Sequence, residues 1–192
     1  MEKVIIYLHG FLSSPQSQKA QQTLAYLTAH HPDVLIEIPK LAHYPQAAVE
    51  LIEQLVKGHA GKTCHFIGSS LGGFLSTYMV QKFGGKAVVI NPAVKPYELL
   101  TDYMGDHVNP YTHEGFTLEA SHIRQLMDLD VAKIEQPENF WVLLQTGDET
   151  LDYRQALQKY QGAKLTVEEG GDHSFQHFER FLPDIFRFLL QD

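Results

Sequence analysis

The sequence predicts an α/β fold, a mainly parallel sheet of about six strands with helices on both faces. Two observations carry this. Short runs rich in Val, Ile, Leu and Phe alternate along the chain with longer segments whose apolar residues recur every three or four positions, the pattern of βαβ units. The strand-like runs are apolar throughout instead of alternating with polar residues, so they suit a parallel sheet covered by helices on both sides. With 192 residues and 44% hydrophobic content the chain is long enough for one full-sized core and short for two, so a single domain is expected over residues 1–192.

The elements follow in order. Val4 to Leu8 is the first strand, ended by His9-Gly10-Phe11. Ser13-Ser14-Pro15 opens a helix with a capping residue beside a proline, Leu24 and Leu27 mark its buried side, and His30-His31-Pro32 closes it. Val34 to Ile38 is the second strand, stopped by Pro39. A second helix starts at about Pro45, with Val49, Ile52, Leu55 and Val56 at helical spacing, and ends at Gly58. Cys64 to Ile67 is the third strand, Ser70 to Phe83 its helix, and Lys86 to Ile90 the fourth strand, followed by Asn91-Pro92-Ala93. Phe140 to Gln145 and Ala163 to Glu168 are the fifth and sixth strands, separated by a short helix around Tyr153 to Tyr160. From Ser174 to Leu190 the residues Phe175, Phe178, Leu182, Ile185, Phe186 and Leu189 form one wide apolar stripe, which predicts a helix packed on the sheet.

Residues 92–139 break the alternation. They hold two or three helical pieces and no convincing strand, with tyrosines 97, 103 and 111, most of which are taken as packing. Leu99, Leu100, Phe116, Leu118, Ile123, Leu126 and Leu129 favour a folded, helical cap over a disordered loop.

The formal net charge of −8, with Lys and Arg scattered singly, argues against nucleic-acid or anionic-membrane partners. No apolar run approaches the length of a membrane span and no leader precedes the first strand, so a cytoplasmic protein is expected, a monomer by default. The one cysteine, Cys64, excludes an intramolecular disulfide and lies in a buried strand, where inert packing is its expected role.

The chemistry centres on Gly68-Ser69-Ser70-Leu71-Gly72, where a strand breaks into a helix around a serine flanked at two positions either side by glycine. This is the pattern of a nucleophile elbow, whose strand and helix pass so close that small residues are needed there. Ser69 fails the same test, because Ile67 and Leu71 would flank it. The pentapeptide alone arises by chance in roughly one chain in fifteen of this length, so the strand before it and the helix after it carry the weight. A serine nucleophile needs a base, and the base needs an acid to hold its tautomer. His173, in Gly170-Gly171-Asp172-His173 after the sixth strand, is the candidate base. Asp148, directly after the fifth strand, is the candidate acid; Asp152, four residues on, and the adjacent Glu149 remain alternatives. Asp172 is assigned to capping the C-terminal helix. The backbone N–H groups of Leu71 and Phe11 are the candidate oxyanion donors, one after the nucleophile and one after the first strand.

Other chemistries fit poorly. His173 and His177 are spaced for a shared helix face near Glu169 and Asp172, but Ser174 stands where a metalloprotease motif has glutamate. Gly68-x-x-x-Gly72-Gly73 lacks the lysine of a phosphate-binding loop. His107 and His113 have no convergent partners. No metal and no cofactor is expected.

Over nearly its full length the chain resembles the α/β-hydrolase superfamily and, within it, the small bacterial YqiA-like esterases. The resemblance is carried by Tyr7-Leu8-His9-Gly10-Phe11-Leu12-Ser13-Ser14-Pro15, Ile67-Gly68-Ser69-Ser70-Leu71-Gly72-Gly73, Gln145-Thr146-Gly147-Asp148-Glu149 and Gly170-Gly171-Asp172-His173-Ser174-Phe175. It implies a cofactor-free Ser-Asp-His esterase acting on short-chain esters and acyl-CoA thioesters. Set beside larger relatives, the chain begins where their third strand lies, so a sheet without their two antiparallel edge strands is expected. Two rivals stand beside this reading: hydrolysis of another acyl bond by the same residues, and a catalytically silent ligand-binding protein on the same fold.

Overall fold

The structure, a computed structural model, describes residues 2–191. Six strands form one parallel sheet: β1 (Lys3–Leu8), β2 (Leu35–Glu37), β3 (Thr63–Ser69), β4 (Ala87–Ile90), β7 (Phe140–Gln145) and β8 (Lys164–Glu168), in the spatial order β2-β1-β3-β4-β7-β8. Every pairing in this sheet is parallel.

The side chains of the central strands β1, β3, β4 and β7 divide between two cores. Val4, Ile6, Leu8, Phe66, Val89, Val142 and Leu144 face one side, where α2 (Pro45–Gly58), α3 (Leu71–Phe83) and α6 (Tyr153–Lys159) pack. Ile5, Tyr7, Ile67, Val88, Ile90, Trp141 and Leu143 face the other, covered by α1 (Gln18–His30) and α7 (Leu182–Leu190). Burial on both faces is why the strands are apolar throughout.

Topology positions the site. The chain runs from β1 outward to β2 and then returns to the other side of β1 as β3, so the sheet order reverses between β1 and β3. Loops at the carboxyl ends of strands on either side of such a reversal diverge and leave a crevice. Register aligns the ends: Leu8 pairs with Gly68, Ser69 with Ile90, and Ile90 with Leu143. Residues 9–12, Ser70, Asn91 and the Asp148 loop therefore leave the sheet along one edge.

Several expectations need correction. The segment between β4 and β7 is not purely helical: beside α4 (Pro96–Leu100) and α5 (Ala120–Asp128) it holds an antiparallel hairpin of β5 (Gly105–Val108) and β6 (Gly115–Leu118). These strands have four residues each, and Gly105, Asp106 and His107 carry little strand propensity, so the pairing across the hairpin supplies what the sequence pattern lacks. Leu100, Leu118, Leu126 and Ile134 of this segment join the core on the α2–α3 face. Tyr97 is tied to Asp130 by a 3.1 Å hydrogen bond, but Tyr103 and Tyr111 are exposed rather than packed.

The first helix begins at Gln18, three residues after Pro15, because Ser14 closes a turn by accepting Ser17 N–H on its carbonyl and Gln16 N–H on its hydroxyl. Likewise, the C-terminal segment turns twice, with Phe175 and His177 at φ 59°, before a 3-10 turn at Phe178–Phe181 leads into α7. Asp172 therefore caps no helix. Its carboxylate instead accepts from Ser174 Oγ and Gln176 Nε2.

At the elbow, a Cβ built on Gly72 would lie 1.9 Å from the Leu8 carbonyl oxygen, and one on Gly68 would lie 2.2 Å from the Gly72 oxygen. Backbone atoms cannot yield as side-chain ends do. Gly72→Ala is expected to lower stability by about 3 kcal/mol or to abolish folding, read as the urea midpoint of unfolding.

Candidate active site

Ser70 occupies the cap position of α3 in a conformation few residues adopt, φ 55° and ψ −117°. Its cost is about 1–3 kcal/mol. A serine at a helix cap ordinarily turns its hydroxyl back onto its own helix. Here the side chain makes no capping bond, and the first turn is closed instead by the Ser70 carbonyl accepting from Gly73 and Phe74 N–H. The hydroxyl is thereby free to face His173, whose Nε2 lies 3.0 Å from Ser70 Oγ.

The other ring nitrogen, Nδ1, is 2.8 Å from Asp148 Oδ2. The Asp148 side chain is 2% exposed and its Oδ1 accepts the N–H groups of Thr150 and Leu151, each at 2.8 Å. Those two donors fix the carboxylate while leaving Oδ2 for the imidazole. Of the three carboxylates left open, the one that faces His173 is that of Asp148. Asp152 caps α6 by accepting Arg154 N–H, and Glu149 accepts the backbone N–H of His173 at 3.0 Å. Backbone contact brings the two loops together: Gly147 N–H donates to Gly170 O at 2.8 Å, and a Cβ on Gly147 would lie 2.4 Å from Gly171 O.

The two candidate oxyanion donors lie beside the serine. Leu71 N–H opens α3, and neither it nor Phe11 N–H donates to another group among the described residues. Gly10 lies against Ser70, since a Cβ there would stand 3.4 Å from Ser70 Cβ. His9, unassigned in the sequence analysis, holds this loop. It is 5% exposed, its Nδ1 is 3.0 Å from Gly10 O, and its Nε2 accepts Leu41 N–H at 3.1 Å. These partners require the neutral ring with the proton on Nδ1, and burial pushes its pKa below the usual 6.5. The Gly10–Phe11 peptide is trans, so anchoring its carbonyl on His9 turns Phe11 N–H to the opposite side.

Two further groups steady the loop. Buried Asn109, from the hairpin's turn, donates to Ser13 O at 3.0 Å. The Phe11 ring meets Phe116 and His107 edge-on at 5.9 and 5.8 Å. Beside the loop lies a small cavity of ≈ 30 Å³, lined by Phe11, Leu41, Leu71, Leu75 and Leu126 among others.

The remaining candidates separate from the site. Cys64 is buried in β3, and burial raises its thiol pKa. His177 is exposed and does not share a helix with His173. Among the described residues no cluster of three or more His, Cys, Asp or Glu is arranged to hold a metal ion, and no helix is long and apolar enough to cross a membrane.

A family model described as Uncharacterised protein family (UPF0227) matches residues 4–190. Among solved structures, a protein from Agrobacterium vitis S4 superposes with a TM-score of 0.75 at 16% identity, covering 98% of this chain and 88% of that one. Est1E from Butyrivibrio proteoclasticus, solved with ferulic acid bound, gives 0.72 at 14% identity over 98% and 88%. Alpha/beta hydrolase domain-containing protein 10 from mouse gives 0.68 at 16% identity over 97% and 86%. These likenesses establish the α/β-hydrolase fold.

His9 predicts an acid sensitivity. Because its folded pKa lies below 6.5, the unfolded chain binds the extra proton first, and stability is constant above pH 6.5 and falls as pH drops below it. The loss is up to about 1.4 kcal/mol per pH unit until the folded pKa is reached. Urea unfolding between pH 7.5 and 5 should show this slope, and His9→Gln should flatten it; an unchanged slope in the variant would assign the effect elsewhere.

Proposed function

The chain belongs to the Uncharacterised protein family (UPF0227), a membership that names no reaction, and from the geometry of the site we propose that it is a serine hydrolase cleaving carboxylic esters of short acyl groups through an acyl-enzyme. One observation carries the reading: the unbroken line of hydrogen bonds from Ser70 Oγ through His173 to the buried Asp148.

In this reading Ser70 Oγ attacks the acyl carbonyl as His173 Nε2 takes its proton, and Asp148 holds Nδ1–H and stabilises the imidazolium. The carbonyl oxygen, now carrying negative charge, accepts from Leu71 and Phe11 N–H at the positive end of α3. His173 then gives its proton to the departing alcohol, and a water deprotonated by the same ring releases the acid and restores Ser70. Thioesters present the same carbonyl and are the second substrate class.

The cavity beside Phe11 and Leu71 receives the acyl chain. Its lining is largely apolar and the cavity is small, so short acyl groups are the expected substrates. Leu126, fully buried on α5, closes one wall.

The test is hydrolysis of p-nitrophenyl and acyl-CoA series of increasing chain length by the unaltered protein and Ser70→Ala. Activity is expected to vanish with the hydroxyl; activity that survives in Ser70→Ala would overturn the mechanism. Asp148→Asn, which can no longer hold the ring in the required tautomer, should lower kcat by about 10⁴-fold. Acetyl or propionyl esters should exceed octanoyl by at least about tenfold in kcat/KM. Leu126→Ala should move the optimum to longer chains, and an optimum at octanoyl in the unaltered protein would sink the cavity's assignment.

A further inference from the structure

Asn91 is a buried polar residue for which the mechanism above has no use. It follows β4, next to the serine's turn, and is 2% exposed. Its backbone has φ 39°, in the left-handed region that asparagine tolerates better than most residues. Its side chain is engaged at both ends. Oδ1 accepts Gln145 N–H at 3.0 Å, while Nδ2 donates to the carbonyls of Asp172 at 3.0 Å and His173 at 3.2 Å. The partners settle the orientation of the amide, since one is a donor and two are acceptors.

The same strand end grips the serine. Ser70 N–H donates to Ile90 O at 3.0 Å, and Ala93 N–H donates to Ser70 O at 3.1 Å. Residues 90–93 thus hold the nucleophile's backbone on one side and the histidine's on the other. We infer that Asn91 is a positioning residue, whose carboxamide ties the His173 loop to the strand end that carries Ser70 and so sets the 3.0 Å between Oγ and Nε2. The inference rests on the serine-hydrolase reading.

The loop needs such a tie. Gly170 and Gly171, at φ 78° and 71°, precede His173 and give it a pliable backbone, and the Glu149 carboxylate on His173 N–H is exposed. Gln145 completes the anchorage from β7: its Oε1 accepts the N–H of Gln176 at 2.8 Å and of Asp172 at 3.3 Å, and its own N–H is the one Asn91 receives. Asparagine is required by chemistry as well as shape. Aspartate matches its volume but turns an acceptor toward two carbonyls.

The test compares Asn91→Asp and Asn91→Gly with the unaltered protein, glycine being free to keep the positive φ. Four quantities are read: the rate at which a fluorophosphonate probe modifies Ser70, kcat and KM for p-nitrophenyl acetate, and the low-field proton resonance of His173 Nδ1–H. In variants shown to be folded by circular dichroism, modification and kcat should each fall about 10- to 100-fold, as displacement of a reacting group by an ångström does. KM should stay within about threefold, and the Nδ1–H resonance should shift or broaden. Modification within about twofold of the unaltered rate in either folded variant would overturn the inference. Failure of both variants to fold would make Asn91 a folding residue and overturn it as well. An unaltered protein that the probe does not modify would bring down the serine-hydrolase reading itself, and the inference with it.

Discussion

The Leu8 carbonyl lies so close to α3 that any side chain at Gly72 would collide with it, and this contact sets the turn on which the whole site depends. Bringing α3 that near to β1 leaves one residue in which to reverse direction after β3. Ser70 takes the strained conformation that makes the reversal possible. The same strain keeps its hydroxyl off its own helix and presents it at the sheet edge. Close packing, an unusual backbone and an available oxygen are therefore one feature seen at three levels.

Around that turn, backbone groups hold most of the geometry. The loop after β1 is fixed at Gly10 O by His9 and at Ser13 O by Asn109. The histidine loop is fixed at the Asp172 and His173 carbonyls by Asn91 and at the Asp172 and Gln176 N–H groups by Gln145. These anchors are buried, where a hydrogen bond competes less with water and an unpaired polar group costs more than at the surface. A precise site on loops is achieved because each loop is tied to a strand end or to the hairpin by a side chain that has few other places to go.

The inserted segment contributes in a different currency. It buries Leu118 and Leu126 in the core on the α2–α3 face and stacks His43 on Phe116, 4.2 Å between ring centres, beside the cavity next to the candidate oxyanion donors. Glu114, from the same hairpin, pairs with Lys40 and His43 across the gap. Apolar contact thus closes one end of the crevice, and the polar contacts of Glu114 with Lys40 and His43 trim its rim.

Periodicity and punctuation in the sequence determined the parallel sheet, its six strands and five of the helices that cover it, because burial on both faces writes itself as uninterrupted apolar runs. They also marked Ser70, His173 and Asp148 as candidates, since an elbow needs small neighbours and the other two must follow strands in a set order. Tertiary structure alone decided how these come together. Asp148 rather than Asp152 faces His173 because Thr150 and Leu151 fold the loop back on the carboxylate. The hairpin was illegible because its strands are four residues each, carry little strand propensity and pair across a six-residue turn. His9, Asn91, Asn109 and Gln145 carry no local signal beyond being polar near a turn: what they hold lies up to 96 residues away in sequence, and only the folded chain brings it within hydrogen-bond reach.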